Sequence, residues 1–356
     1  MKRNIIITFL LLASIICFFS NFTLPDNNEP HPYKLNYPDA FGAPAIPADN
    51  LLTNEGVWLG RLLFYDSLLS INHKIACAGC HKQELSFTDG RPLAIGVFGD
   101  TLTRNSMALV DLAWGKVFFW NGRAKTLEGL VKEPIANFKE MGGLSEKQLV
   151  KRLQEHAYYP TLFKKAFPHD SISLNTVSKA IAQFLRTIVT QLNNTPEPYK
   201  AGPGMSKYEV LETEDSPMGS AARVSLMECK SCHTSVLFGG EIVTTYGNDS
   251  VFKATSLMNI RYTAPYMHDG RFKTMREVLQ FYNDSMQSIL AQNSRLDLSQ
   301  SQSVRPIQFT KYDLDHADEI FASFSDSTVI TNPAFSDPFR QKGFKWLATG
   351  NEVPAK

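Results

Sequence analysis

Two copies of one pattern constrain this chain more than anything else in it: "CAGCH" at Cys77–His81 and "CKSCH" at Cys229–His233. Two thiols three positions apart lie one helical turn from each other and can bond two vinyl groups on one edge of a porphyrin. The residue that follows turns its imidazole toward the iron, which is the order covalent haem c requires. Zinc ribbons also use paired Cys-x-x-Cys knuckles, but with about 15–20 residues between the pairs, far fewer than separate Cys80 from Cys229 here. A redox dithiol explains one such pair and gives no reason for a histidine after both. Structural disulfides across so short a span are strained and reactive. The pattern therefore predicts two covalently bound haem c groups, held by Cys77, Cys80 and His81 and by Cys229, Cys232 and His233.

The fifth cysteine, Cys17, falls in "MKRNIIITFLLLASIICFFSNF", where Lys2 and Arg3 precede an apolar run from Ile5 to Phe19. This is the pattern of a secretory signal, so residues 1–24 are read as a signal peptide or N-terminal anchor. No A-x-A cleavage site follows, and both lipidation of Cys17 and membrane anchoring through an uncleaved N-terminus stay open. Export to the periplasm places the other thiols where they are expected to be paired, liganded or capped. With 36 Lys+Arg against 35 Asp+Glu and no basic block, nothing points to nucleic acid.

A helix precedes each motif. Val57, Trp58, Leu62 and Tyr65 recur at helical spacing after Thr53, a fitting N-cap, and Ser216 with Pro217 opens the second helix. Val177, Ile181, Phe184, Leu185 and Ile188 share one face of a further helix that closes the first module. These features predict a mainly α protein with two cytochrome c-like haem domains in tandem, an N-terminal one over 40–200 and a C-terminal one over 201–335. The Pro- and Gly-bearing "NNTPEPYKAGPGMSK" joins them. The tail from "DLDHADEIFASFSD" is expected to form one more helix and then an extended segment.

From about Asn54 to Phe339 the chain resembles the bacterial dihaem cytochrome c peroxidases and the related dihaem enzyme of methylamine utilisation. The segments that carry the likeness are "LGRLLFYDSLLSINHKIACAGCH", "FFWNGRAKTLEGLVKEPIANFKEMG", "CKSCH" and "SLMNIRYTAPYMHDGRFKTMREVLQFYN". The resemblance implies that the first haem is peroxidatic and the second receives electrons, with the tail from about 336 to 356 packing back on the first domain. It implies roles for Trp120 as a bridge between the haems and for Glu140 as the carboxylate that moves a proton on peroxide. Val97 stands where members that need reductive activation carry a distal histidine, and no histidine lies between His81 and His156. Both facts predict a five-coordinate, high-spin first haem. Leu130 replaces the family's distal glutamine, whereas Pro134 keeps its place.

At the second haem the resemblance implies Tyr282 as sixth ligand, the residue type of the methylamine-utilisation enzyme, where the peroxidases have methionine. By spacing alone Tyr282 is one of a helical stripe with Met275, Val278 and Leu279, and Met275 or Met286 could bind instead. The resemblance also implies one calcium ion held by Asn105, Thr263 and Pro265, a hard cation among oxygens. His268 is read as an ordering residue beside this loop.

The expected activity is reduction of hydrogen peroxide to water with electrons from a small donor protein such as a monohaem cytochrome c. The alternatives are a dihaem oxidase whose high-valent iron acts on a partner protein or small organic donor, and a non-catalytic electron carrier. Homodimeric assembly stays open. The mature protein is expected to carry two covalent tetrapyrroles, checked by intact mass together with a pyridine haemochrome count per chain.

Overall fold

The computed structural model describes residues 29–191, 229, 233, 237, 239, 243–246, 250–292, 308–322 and 324–341. The signal segment, Cys17, the helix expected from Ser216, and Cys232 lie outside the described residues. Helix α1 (Asn54–Tyr65) starts at Thr53, whose side chain accepts from Gly56 N as an N-cap. The single turn α2 (Cys77–Cys80) carries the first motif. It is followed by α3 (Leu127–Ala136), α4 (Glu146–Glu155), α5 (Tyr159–Ala166) and α6 (Leu174–Thr187). Both α4 and α6 begin in capping boxes, Ser145 with Gln148 and Ser173 with Thr176. Two short antiparallel strands follow, β1 (Val243–Tyr246) and β2 (Ser250–Lys253), with Val243 opposite Lys253. Then come α7 (Met275–Gln292), α8 (Lys311–Asp315), α9 (Ala317–Ala322) and α10 (Ser327–Thr331). The architecture is helix-rich with few strands.

α1 and α6 pack so closely that side chains are excluded between them. A Cβ on Gly60 would stand 1.9 Å from Ala180 O, and one on Gly56 would stand 2.1 Å from Gln183 Oε1. Gln183 uses that oxygen to accept from Thr53 N at 3.0 Å, so the cap of α1 is tied to the middle of α6. The apolar stripe Val177, Ile181, Phe184, Leu185 and Ile188 lies in a core with Leu59, Leu63, Phe64, Leu149 and Phe163. Behind it, Arg186 donates to Glu128 at 2.8 Å, and Asn50 Nδ2 donates to the same carboxylate at 2.6 Å.

A second core gathers Met258, Met275, Leu279, Ile320 and Phe324 and takes Phe41 and Val189 from the N-terminal half. The chain then goes back: Val329 and Phe335 belong to the first core. There Arg61 donates to Pro333 O and Ser336 O, both at 2.6 Å, and Tyr65 OH donates to Phe335 O at 2.6 Å. The helix expected over "DLDHADEIFASFSD" is broken in two at His316. Its imidazole stacks on Tyr312 at 3.9 Å and its Nδ1 lies 2.9 Å from Tyr312 O, so the side chain takes up a carbonyl at the end of α8.

Asp111 is a buried carboxyl with left-handed backbone (φ 56°). It accepts from Thr190 N at 2.8 Å and from Thr190 Oγ1 at 2.9 Å. Burial, opposed by these bonds and reinforced by Asp326, pushes its pKa up to about 7. Between an unfolded value of about 3.9 and the folded one, the folded chain keeps a proton the unfolded chain has lost, so this group makes stability fall as pH rises from about 4 to about 7. Asp111→Asn keeps an acceptor for Thr190 N and is expected to flatten that slope. Melting temperatures of both proteins across this range test it, and parallel curves would refute it.

Candidate active site

The two histidines of the motifs are held alike. His81 N donates to Cys77 O at 3.0 Å and its Nδ1 lies 2.8 Å from Phe87 O. His233 N donates to Cys229 O at 2.8 Å and its Nδ1 lies 2.7 Å from Thr255 O. A carbonyl can only accept, so in both rings Nδ1 carries the proton and Nε2 presents the lone pair, the tautomer of a metal-ligating histidine. Burial lowers the pKa of His81, which keeps the imidazole neutral. Cys77 and Cys80 are not joined in a disulfide. Burial, then the neighbouring Cys80, pushes Cys77 up to about 12; burial, then Asp89 and Glu140, pushes Cys80 up to about 11. Thiols so strongly held neutral do not suit a redox dithiol, and the two tautomers, with Cys77 and Cys80 not joined to each other, fit a thioether-bound porphyrin.

Beside α2, three segments form one wall. Val97 N donates to Glu140 O at 2.9 Å, Ile71 N donates to Met141 O at 2.9 Å, and Asn72 Nδ2 donates to Val97 O at 3.3 Å. A Cβ on Gly96 would meet Lys139 O at 1.7 Å, so only glycine lets these loops close. Val97 is buried, and Glu140 is half-buried with Oε1 accepting from Asn137 Nδ2 at 2.7 Å. Burial raises the Glu140 pKa although the Asn137 bond opposes it. Leu130 packs elsewhere, beside Phe118, Leu127 and Ala182.

Trp120 joins the two halves. Its Nε1 donates to Asn105 O at 2.9 Å, and its carbonyl accepts from Lys253 N at 2.7 Å. Asn105 leads back toward the first motif, because its Nδ2 donates to Arg91 O at 2.8 Å and Pro92 O at 3.3 Å. Lys253 ends β2, two residues before the Thr255 carbonyl that holds His233. Asn105 N also donates to His268 O at 2.8 Å, bringing it against the loop that contains Thr263 and Pro265. That loop presses on the first half, since a Cβ on Gly270 would stand 2.3 Å from Pro92 Cα.

His268 stacks on Phe252 at 4.1 Å and meets Trp120 edge-on at 6.4 Å. Its buried Nδ1 has no hydrogen-bond partner among the described residues. No cluster of three or more His, Cys, Asp or Glu side chains able to hold a metal ion occurs among the described residues. An amide and carbonyl set such as Asn105, Thr263 and Pro265 is of another kind.

Tyr282 lies on α7, half-buried, and packs on the same core as Cys229. Met275 is fully buried in that core, and the side chain of Met286 lies outside the described residues. Sequence reasoning did not single out Asn259, a buried residue with left-handed backbone that joins the two halves. Its φ of 60° has no signature in one sequence beyond the tolerance of asparagine for that region.

The sequence profile of the di-haem cytochrome c peroxidases matches residues 54–209. The methylamine utilization protein MauG of Methylophilus methylotrophus is 30% identical over 273 residues, covering 72% of this chain and 79% of that one. Cytochrome c551 peroxidase of Nitrosomonas europaea is 26% identical over 303 residues, covering 78% and 84%. A crystal structure of a MauG-like protein associated with microbial copper homeostasis superposes with a TM-score of 0.68 at 27% identity, over 86% of this chain and 100% of that one. The chain belongs to the di-haem cytochrome c peroxidase family. It is a haem-dependent oxidoreductase.

Proposed function

We propose that the chain is an exported, periplasmic dihaem peroxidase that reduces hydrogen peroxide to water with electrons from a small reduced cytochrome. In this reading Cys77, Cys80 and His81 hold the peroxidatic haem c, and Cys229, Cys232 and His233 hold the haem c that accepts electrons. Two haem domains in tandem, over 40–200 and 201–335, are supported by the two apolar cores, and a tail packed on the first domain by the bonds of Arg61 and Tyr65. The observation that carries the functional reading is the identical Nδ1-to-carbonyl bond at both motif histidines, with Trp120 bonded toward each. Bound haem supplies the iron at which the O–O bond is cleaved.

The protein's part is proton handling and exclusion. Glu140, whose pKa burial raises and whose carboxylate Asn137 orients, carries a proton from the inner to the outer peroxide oxygen so that water leaves. Val97, standing by resemblance where some members carry a distal histidine, would offer a bound haem no ligand and so would leave peroxide access to the iron. Asn105, Thr263 and Pro265 suit one calcium ion by their all-oxygen chemistry, supported by the bond from Asn105 N to the His268 carbonyl.

A second reading rests on Tyr282, packed on the core that takes Cys229, and on Val97: oxidation of a partner protein or small organic donor. Stopped-flow spectroscopy with peroxide, with and without a reduced monohaem cytochrome c, separates these readings. Turnover that consumes the cytochrome supports the peroxidase. A long-lived oxidised state without donor consumption supports the second reading, and no fast spectral change identifies an electron carrier. Glu140→Gln is expected to slow the reaction with peroxide by about 10²–10⁴-fold with two haems still bound. Electron paramagnetic resonance of the oxidised protein is expected to show high-spin iron, and a purely low-spin spectrum rules out the vacant face beside Val97. Calcium removal by a chelator is expected to perturb both haem spectra; spectra that do not change refute the calcium site.

A further inference from the structure

The carbonyl that holds His81 belongs to a residue in an unfavourable backbone conformation. Ser86 (φ 51°) and Phe87 (φ 63°) are consecutive left-handed residues, and neither is glycine. Both are fully buried. For a bulky aromatic this region is a genuine outlier, and it persists only where the surroundings over-determine it. Local bonds account for part of the constraint, because Ser86 N donates to Gln83 O at 3.0 Å and Phe87 N donates to Lys82 O at 2.8 Å.

The rest comes from the other half of the chain. Asn259 Nδ2 donates to Ser86 Oγ at 3.1 Å. Asn259 is itself left-handed (φ 60°) and wholly buried, and it is fixed on every polar atom described. Its N donates to Phe324 O at 2.8 Å, Nδ2 also reaches Asp326 O at 3.2 Å, and Oδ1 accepts from Asp326 N at 2.5 Å. The Asp326 carboxylate is in turn held by Gln191 N at 2.7 Å and by Thr328 N and Oγ1 at 2.8 Å. A cluster drawn from three distant segments thus ends on the hydroxyl beside the His81 acceptor.

We propose that Asn259 is a positioning residue for the first iron site: through Ser86 Oγ it holds the Ser86–Phe87 turn so that the Phe87 carbonyl stays on His81 Nδ1, and thereby sets how strongly His81 donates to iron. A firm Nδ1–H···O bond raises the basicity of the ligating nitrogen and favours oxidised iron. Asn259 follows Thr255, whose carbonyl holds His233, by four residues, so one stretch of chain serves both histidines.

The inference rests on the haem placement proposed above, and the test separates the two. The holoprotein and its Ser86→Ala and Asn259→Ala variants are compared by pyridine haemochrome, by redox titration resolving both haems, and by resonance Raman of the reduced protein. Ser86→Ala removes one oxygen and leaves packing intact. It is expected to raise the potential of the first haem, changing its oxidised-to-reduced ratio about tenfold, about 59 mV for one electron, and to lower the iron–histidine stretching frequency. The second haem should not shift in Ser86→Ala, and the double variant should shift the first no further than Asn259→Ala. Both haems present with unchanged first-haem potential and stretch, and only a lower melting temperature, would reduce the link to a structural one and overturn the proposal. If Asn259→Ala fails to fold, Ser86→Ala decides alone. Absence of haem from the first motif of the unmodified protein would instead refute the functional reading, and the haem count detects that before any potential is measured.

Discussion

One hydrogen bond, from an imidazole Nδ1 to a main-chain carbonyl, governs each motif of this protein. It decides the tautomer, and the tautomer decides whether Nε2 can bind iron. The two acceptors are built differently. Phe87 is six residues beyond His81 and is reached by a tight left-handed turn, whereas Thr255 is 22 residues beyond His233. The first site is closed by a local loop held from afar. The second acceptor comes after the β1–β2 pair, whose last residue also anchors Trp120.

Trp120 is held through main-chain partners on both sides, Asn105 O and Lys253 N. Main-chain bonds leave its position little dependent on which side chains occupy those two places. Beside it His268 is stacked between Phe252 and the edge of Trp120, and burial, helped by Arg104 and Arg271 and opposed by Asp269, lowers the pKa of that imidazole.

Much of this was legible in the residues. The two Cys-x-x-Cys-His patterns named their own chemistry because no other use of those side chains needs that order twice. The stripe from Val177 to Ile188 and the cap at Thr53 follow from helical periodicity and from the preference of threonine for that position. Glu140 could not be recognised from its surroundings in sequence, since "NFKEMGG" reads as a solvated loop. Its burial comes from Gly96 letting two loops meet, a contact between distant segments. The split at His316 was missed for a local reason, because helical periodicity does not register an imidazole that takes its own helix's carbonyl. The link from Asn259 to Ser86 spans 173 positions and leaves no spacing to read.

The bonds from Arg61 and Tyr65 to residues 333–336 bear on how such a chain matures. A polypeptide made from its N-terminus exposes α1 long before Val329 and Phe335 exist to cover the first core. That core therefore stays open until nearly the whole chain has been made, and the first unit cannot be finished before the second has been synthesised. The segment made last closes the part made first.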